Sequence, residues 1–213
     1  MSLSPKARDT LSQIDPDTTK LGDLRKMAKV IKKDHELAME LWGTDEFLPR
    51  QLAILIMDKK ELTPPVVDQL CADIAGHEAD KADHLIDWLM ANQLAKDKKL
   101  TTLMESWEHS DIALQRRLFW YHEGRRRWMG KTGFDNTEAL LDGIEARMAG
   151  EAPPVQWAMN FTAGWIGVFR DDLRPRCIAI GKDTGLYKDE KVAKNCTPSF
   201  LPEFIRIEAA KRG

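Results

Sequence analysis

Apolar residues in this chain recur every three or four positions, segment after segment, and seldom at every second position. Leu24, Met27, Ala28, Ile31, Ala38, Leu41 and Trp42 form one such series, a spacing that lays an apolar stripe along one face of an α-helix. Period-2 alternation over more than four or five residues is rare and β-branched clusters are scarce, so a sheet has little to be built from. The first series predicts a helix capped at its front by Asp23 and ended near Gly43. Further helices are predicted over residues 48–57, 64–74, 81–92, 98–107, 112–127, 137–149, 153–168, 173–182 and 199–210. The breaks agree: Thr63-Pro64-Pro65 sets a capping threonine before proline at a first helical turn. Gly130 and Gly133 close an arginine-rich segment, and Ala152-Pro153-Pro154 opens the next.

Helices of this length joined by short loops pack as antiparallel pairs, and a pair every ~30–45 residues is the spacing of HEAT and armadillo repeats. The expected fold is all-α, a right-handed α-solenoid of stacked antiparallel helix pairs. Residues 1–213 are read as one HEAT-like domain, with 1–20 as an N-terminal cap and 183–213 as a C-terminal extension. With 43% hydrophobic and 31% charged residues, the chain can bury a core and is not a disordered tail. No run approaches the ~20 uncharged apolar residues of a membrane span, and the N-terminal run lacks the apolar centre of a secretory signal. Cys71, Cys177 and Cys196 are far apart with no CxxC pair, which argues for a reducing compartment and against a disulfide framework or structural zinc. The expectation is a cytoplasmic, monomeric protein without a cofactor or a metal. Cys71 and Cys177 read as buried small hydrophobes, and Cys196 as the one plausible reactive thiol, with no histidine near it in sequence.

The net charge is −2, which announces no polyanion partner, but its distribution is compatible with one. Between Gln115 and Lys131 stand Arg116, Arg117, Arg125, Arg126, Arg127 and Lys131 against one acid, Glu123, interleaved with Phe119, Trp120, Tyr121 and Trp128. Guanidinium pairs phosphate oxygens through two donors, so this segment is the candidate polyanion-binding face. A solvated helix with snorkelling arginines is the competing reading. A buried arginine paired with a carboxylate is another, with Arg50 and Arg116 as the candidates. Leu118, Trp120, Tyr121 and Trp128 cannot share one stripe, so some are core; Trp42, Trp107 and Trp157 are expected in the core as well. His77, Asp80, His84 and Asp87 fall near one helix face, but a single helix rarely encloses an ion and no second ligand run declares itself.

Two sets of residues carry a resemblance. Leu24-Arg25-Lys26-Met27-Ala28-Lys29, Asp34-His35-Glu36-Leu37-Ala38, Leu41-Trp42 and Arg50-Gln51-Leu52-Ala53, with Asp58 and Thr63, form the first. The second comprises residues 160–167, then Leu173-Arg174-Pro175-Arg176, Ala179-Ile180-Gly181, Gly185-Leu186-Tyr187-Lys188-Asp189 and Cys196-Thr197-Pro198. In order and spacing they resemble the AlkD-like DNA alkylation repair family, the HEAT-like repeat DNA glycosylases. That resemblance implies binding of duplex DNA in a basic concave groove and excision of cationic N3- or N7-alkylpurines. In the family a carboxylate and aromatic faces near the deoxyribose stabilise the developing oxocarbenium ion, and the base need not be extruded.

Carried over residue by residue, the resemblance makes Asp83 the carboxylate and Arg116 the backbone-contacting arginine, with Arg117 one register away. It makes Phe161 the last aromatic, flanked by Trp157 and Trp165. The family's tryptophan four residues before the carboxylate is here Ala79, and Trp88, about 140° around the helix from Asp83, does not replace it. Alternative readings are a non-catalytic binder of DNA structures and a protein-interaction scaffold on the same fold.

Overall fold

A computed structural model describes residues 3–131 and 133–212. Among them there is no strand, and the chain is all-α. It divides into two compact units, Met1–Ser106 and Trp107–Gly213.

Unit 1 holds α1 (Pro5–Leu11), α2 (Leu21–Ile31), α3 (His35–Trp42), α4 (Phe47–Ile56), α5 (Pro64–Ala75), α6 (Ala79–Asn92) and α7 (Lys98–Glu105). Sequence neighbours pack as pairs, α3 with α4 and α5 with α6, while α2, α4 and α6 form a row by alternate contacts. The predicted helix from Asp23 to Gly43 is broken in two. Lys32 turns the backbone to φ 64°, and the Asp34 carboxylate caps α3 by accepting from Leu37 N–H at 3.1 Å. Asp23 sits inside the first turn of α2 instead of ahead of it, where its carboxylate accepts from Lys20 N–H. The apolar stripe runs through this break because both α2 and α3 pack on α4. Residues 1–20 contain α1, capped by the Ser4 hydroxyl, with Ala7 and Thr10 buried and the helix packed on α3.

Unit 2 holds α8 (Ala113–Trp128), α9 (Thr137–Arg147), α10 (Pro153–Phe169), α11 (Arg174–Thr184) and α12 (Leu201–Ala210). The dominant contact is α8 against α10, and α12 packs on α10 and α11, so α8, α10 and α12 repeat the row pattern of α2, α4 and α6. The last helix, α12, contributes to the core of unit 2: Leu201 and Ile205 are fully buried. Gly124 sets the approach of α8 to α10. A Cβ there would lie 2.6 Å from the Phe161 ring and 2.8 Å from the Thr162 hydroxyl. The same Thr162 hydroxyl donates to the Trp120 carbonyl of α8 at 2.6 Å, fixing the register of the pair. Gly130 and Gly133, at φ 72° and 79°, end the arginine helix with the left-handed backbone that glycine tolerates. Cys71 and Cys177 are buried and Cys196 is exposed. No helix among the described residues is long and apolar enough to cross a membrane.

Candidate nucleic-acid interface

The arginines of α8 divide by partner. Arg116 binds Glu151 in a fork, Nε donating to Oε1 at 3.0 Å and Nη2 to Oε2 at 2.8 Å, while Nη1 reaches the Ser110 carbonyl at 2.7 Å. To reach a phosphate it would have to leave a bidentate carboxylate. Arg127 is buried, donating to the Glu123 carboxylate at 2.8 Å and to Asn136 Oδ1 at 2.9 Å. Glu123 also accepts from Arg126 at 2.8 Å and from Asn136 Nδ2 at 3.0 Å. Burial opposes ionisation of Glu123, yet the hydrogen bonds from Arg127 and Asn136 prevail and hold its pKa below the ordinary value. Burial also pulls the Arg127 pKa down, against its bonds to Glu123. Phe134 lies beneath both guanidiniums, each Cζ 4.5 Å from the ring centroid. This cluster locks the end of α8 to the loop that leads into α9.

Arg117 and Arg125 do something different. Arg117, buried, lies 4.6 Å over the Trp157 ring and 5.9 Å from the Tyr121 ring. Arg125, half-buried, sits 5.8 Å over Tyr121 and makes no ion pair among the described residues. Lys131 is exposed and likewise makes no ion pair among the described residues. These distances are those of cation–π contacts. The rings themselves form a platform: Tyr121 meets Trp157 and Phe161 edge-on at 5.2 Å, and Trp157 stacks on Phe161 at 5.6 Å and 19°. One helical face presents it, because Trp157, Phe161, Trp165 and Phe169 follow one another at intervals of four along α10.

Of the tryptophans expected in the core, Trp42 and Trp107 are buried, whereas Trp157 is only half-buried as part of this platform. The intervals of four around Phe161 were legible. Arg212 was not: it comes from the far end of the chain to lie 4.7 Å over Trp165, held by Glu208 at 2.6 Å. Burial works against the Glu208 charge, but hydrogen bonds from Lys211, Arg212 and Thr197 set its pKa at about 2. Glu151, the partner of Arg116, also carries no signal in the sequence.

Asp83 is half-buried on α6 in unit 1. The position four before it, Ala79, is the exposed first residue of that helix. Trp88 is turned onto α4, its indole N–H donating to the Gln51 carbonyl at 3.1 Å beneath the Arg25 guanidinium at 4.9 Å. His77 lies before the helix begins, with Nε2 2.5 Å from Arg50, and His84 packs edge-on between Phe47 and Trp88. The one-face arrangement of His77 with Asp80, His84 and Asp87 therefore does not form. Arg50 is the expected buried arginine: it pairs with Asp45 at 2.8 Å and lies 4.8 Å over Trp42. Arg116 has the carboxylate partner, Glu151, but is only half-buried.

Rows of paired helices of this kind define a HEAT-like repeat protein. A solved structure from a new family of proteins related to the HEAT-like repeat DNA glycosylases, with affinity for branched DNA structures, shares this fold. The match has a TM-score of 0.68 and 18% identity, over 98% of this chain and 89% of that one. The model of the DNA alkylation repair enzyme family matches residues 18–162, and the chain belongs to that family. An uncharacterized protein of Listeria innocua serovar 6a, Lin0241, is 24% identical over 170 residues, 78% of this chain and 71% of that protein.

Proposed function

We propose that this protein binds DNA, with a preference for branched forms, and does so through the α8–α10 face of unit 2. The observation that carries the reading is the Tyr121–Trp157–Phe161 platform edged by the guanidiniums of Arg117 and Arg125. Aromatic faces take up unstacked or terminal bases, which branch points supply, and cations beside them hold phosphates. Arg125 and Lys131 are the phosphate ligands of choice, since neither has a carboxylate to release. Arg116, Arg126 and Arg127 support the same face by shaping it, and the branched-DNA affinity of the structural relative agrees with the assignment.

Excision of cationic alkylpurines is the second reading. It is favoured by the place of Asp83 inside the family-matched segment, where its carboxylate would stabilise the sugar cation. Ala79 ranks it second, because that position offers a methyl group where the family's mechanism uses an indole.

Binding to a four-way junction and to a linear duplex, each measured at several salt concentrations, tests the first reading. The affinity should fall with salt, favour the junction, and lose about one unit of salt slope in Arg125→Glu. Salt-independent binding, or none, refutes it. Free-base release from duplexes carrying N7-methylguanine or N3-methyladenine tests the second. Release by the wild type that Asp83→Asn abolishes would establish a glycosylase, and release unchanged in Asp83→Asn would remove Asp83 from the mechanism.

A further inference from the structure

Beyond the platform, the C-terminal half of α10 borders a cavity of about 450 Å³ in unit 2, a size suited to a small organic ligand. Trp165, Ile166, Phe169 and Phe134 form its apolar wall. Its cations are Lys131, Arg127 and Arg170, and no carboxylate lines it among the described residues. Arg127 is taken by Glu123 and Arg170 by Asp172 at 2.6 Å. Lys131, at the loop edge, is left for an anion from outside. Trp165 and Ile166 are themselves buried, 4% and 1% exposed. Phe169 is 45% exposed, Trp128 is 47% exposed and Met129 53%, so three of the protein's large exposed apolar side chains are grouped here.

A planar aromatic ring joined to a phosphate matches the apolar wall and the open cation. We propose that the cavity receives one unstacked nucleotide of the bound DNA, its base against Trp165, Ile166 and Phe169 and its phosphate at Lys131. This rests on the DNA-binding reading and deepens it, because the cavity continues the same face of α10 that carries the platform, and it explains selectivity for branched DNA: only disrupted duplexes offer a free base without the cost of unpairing one.

The test compares three DNAs of one sequence: a paired duplex, the duplex with a single-adenine bulge, and the duplex with an abasic residue in place of that adenine. Stacking of one base corresponds to roughly 5- to 150-fold in affinity. The adenine bulge should therefore bind more tightly than the abasic bulge by a factor in that range. Phe169→Ala should erase the difference while leaving paired-duplex affinity unchanged, and Phe169→Trp, which keeps a ring, should restore it. A thermal melt of each variant guards against misfolding. Equal affinity for the two bulges, with salt-sensitive binding to both, overturns the nucleotide assignment alone and leaves the cavity to a protein partner. Absence of binding to all three removes the DNA reading along with it.

Discussion

Truncating Glu123 to alanine should destabilise the protein by about 3–5 kcal/mol, the cost of breaking a buried pair by removing one partner. The residue is 1% exposed and its carboxylate holds three donors, from Arg126, Arg127 and Asn136. Its loss leaves the Arg127 cation buried with neutral oxygens alone: the backbone carbonyl of residue 123 at 3.0 Å, Asn136 at 2.9 Å and Thr137 at 3.2 Å. Those three bonds set the lower end of the range, and the amide of Asn136, now without its acceptor, pushes toward the upper. For a chain of this length, 3 kcal/mol corresponds to a fall in Tm of roughly 6–12 °C. Urea unfolding at pH 7, followed by far-ultraviolet circular dichroism, measures it. Glu145→Ala is the internal comparison: that carboxylate pairs with Arg176 in solvent, the two side chains being 43% and 30% exposed, and should contribute less than ~1 kcal/mol. A double variant, Glu123→Ala with Arg127→Met, should recover at least half the loss, because it removes the stranded charge. Equal costs for Glu123→Ala and Glu145→Ala would refute the burial argument.

Acid should weaken the fold through His122, whose burial lowers its pKa to about 4. The unfolded chain takes up that proton near pH 6.5 and the folded one does not, so stability falls by about 3 kcal/mol from pH 6.5 to 4. His122→Gln should flatten the unfolding profile across that window, and an unchanged profile would exclude His122 as the cause. Glu208 acts lower: its stabilisation is present above the ordinary carboxylate pKa and is lost as pH falls toward about 2, so Glu208→Gln should matter at pH 7 and cease to matter in strong acid. Gly124→Ala, which sets a methyl group 2.6 Å from Phe161, should cost about 1–3 kcal/mol and weaken junction binding together, as read by urea midpoints and by anisotropy; a neutral result on both would mean that α8 and α10 part easily. Arg116→Glu should act mainly through stability by repelling Glu151, and Arg125→Glu mainly through DNA affinity, a split that a melt and a binding curve on each variant resolve.

Much of this molecule was legible as local chemistry. Helix positions follow from apolar spacing, and their ends from Pro64, Pro153, Gly130 and Gly133, because these residues act on the backbone beside them. The exception, at Lys32–Asp34, shows the limit of periodicity: two helices that pack on the same neighbour present one continuous apolar series, so only Asp34 as a cap betrayed the break. Charge was legible in amount and not in use. Five arginines between Gln115 and Lys131 look alike in sequence, and their fates depend on acids and rings that reach them through space. Glu151 takes Arg116 from 35 residues away, and Arg127 is sealed under Glu123. Trp157 gives the surface on which Arg117 lies. A side chain's availability to a phosphate is set by what is already bonded to it, a property of the tertiary contacts. The sequence by itself determined the all-α class, through a helical period that no sheet can satisfy. Only the tertiary structure decided which cations stay unpaired, which aromatics stay open, and that Arg212 joins a ring 47 residues before it, because desolvation and pairing act through distance in space and not along the chain.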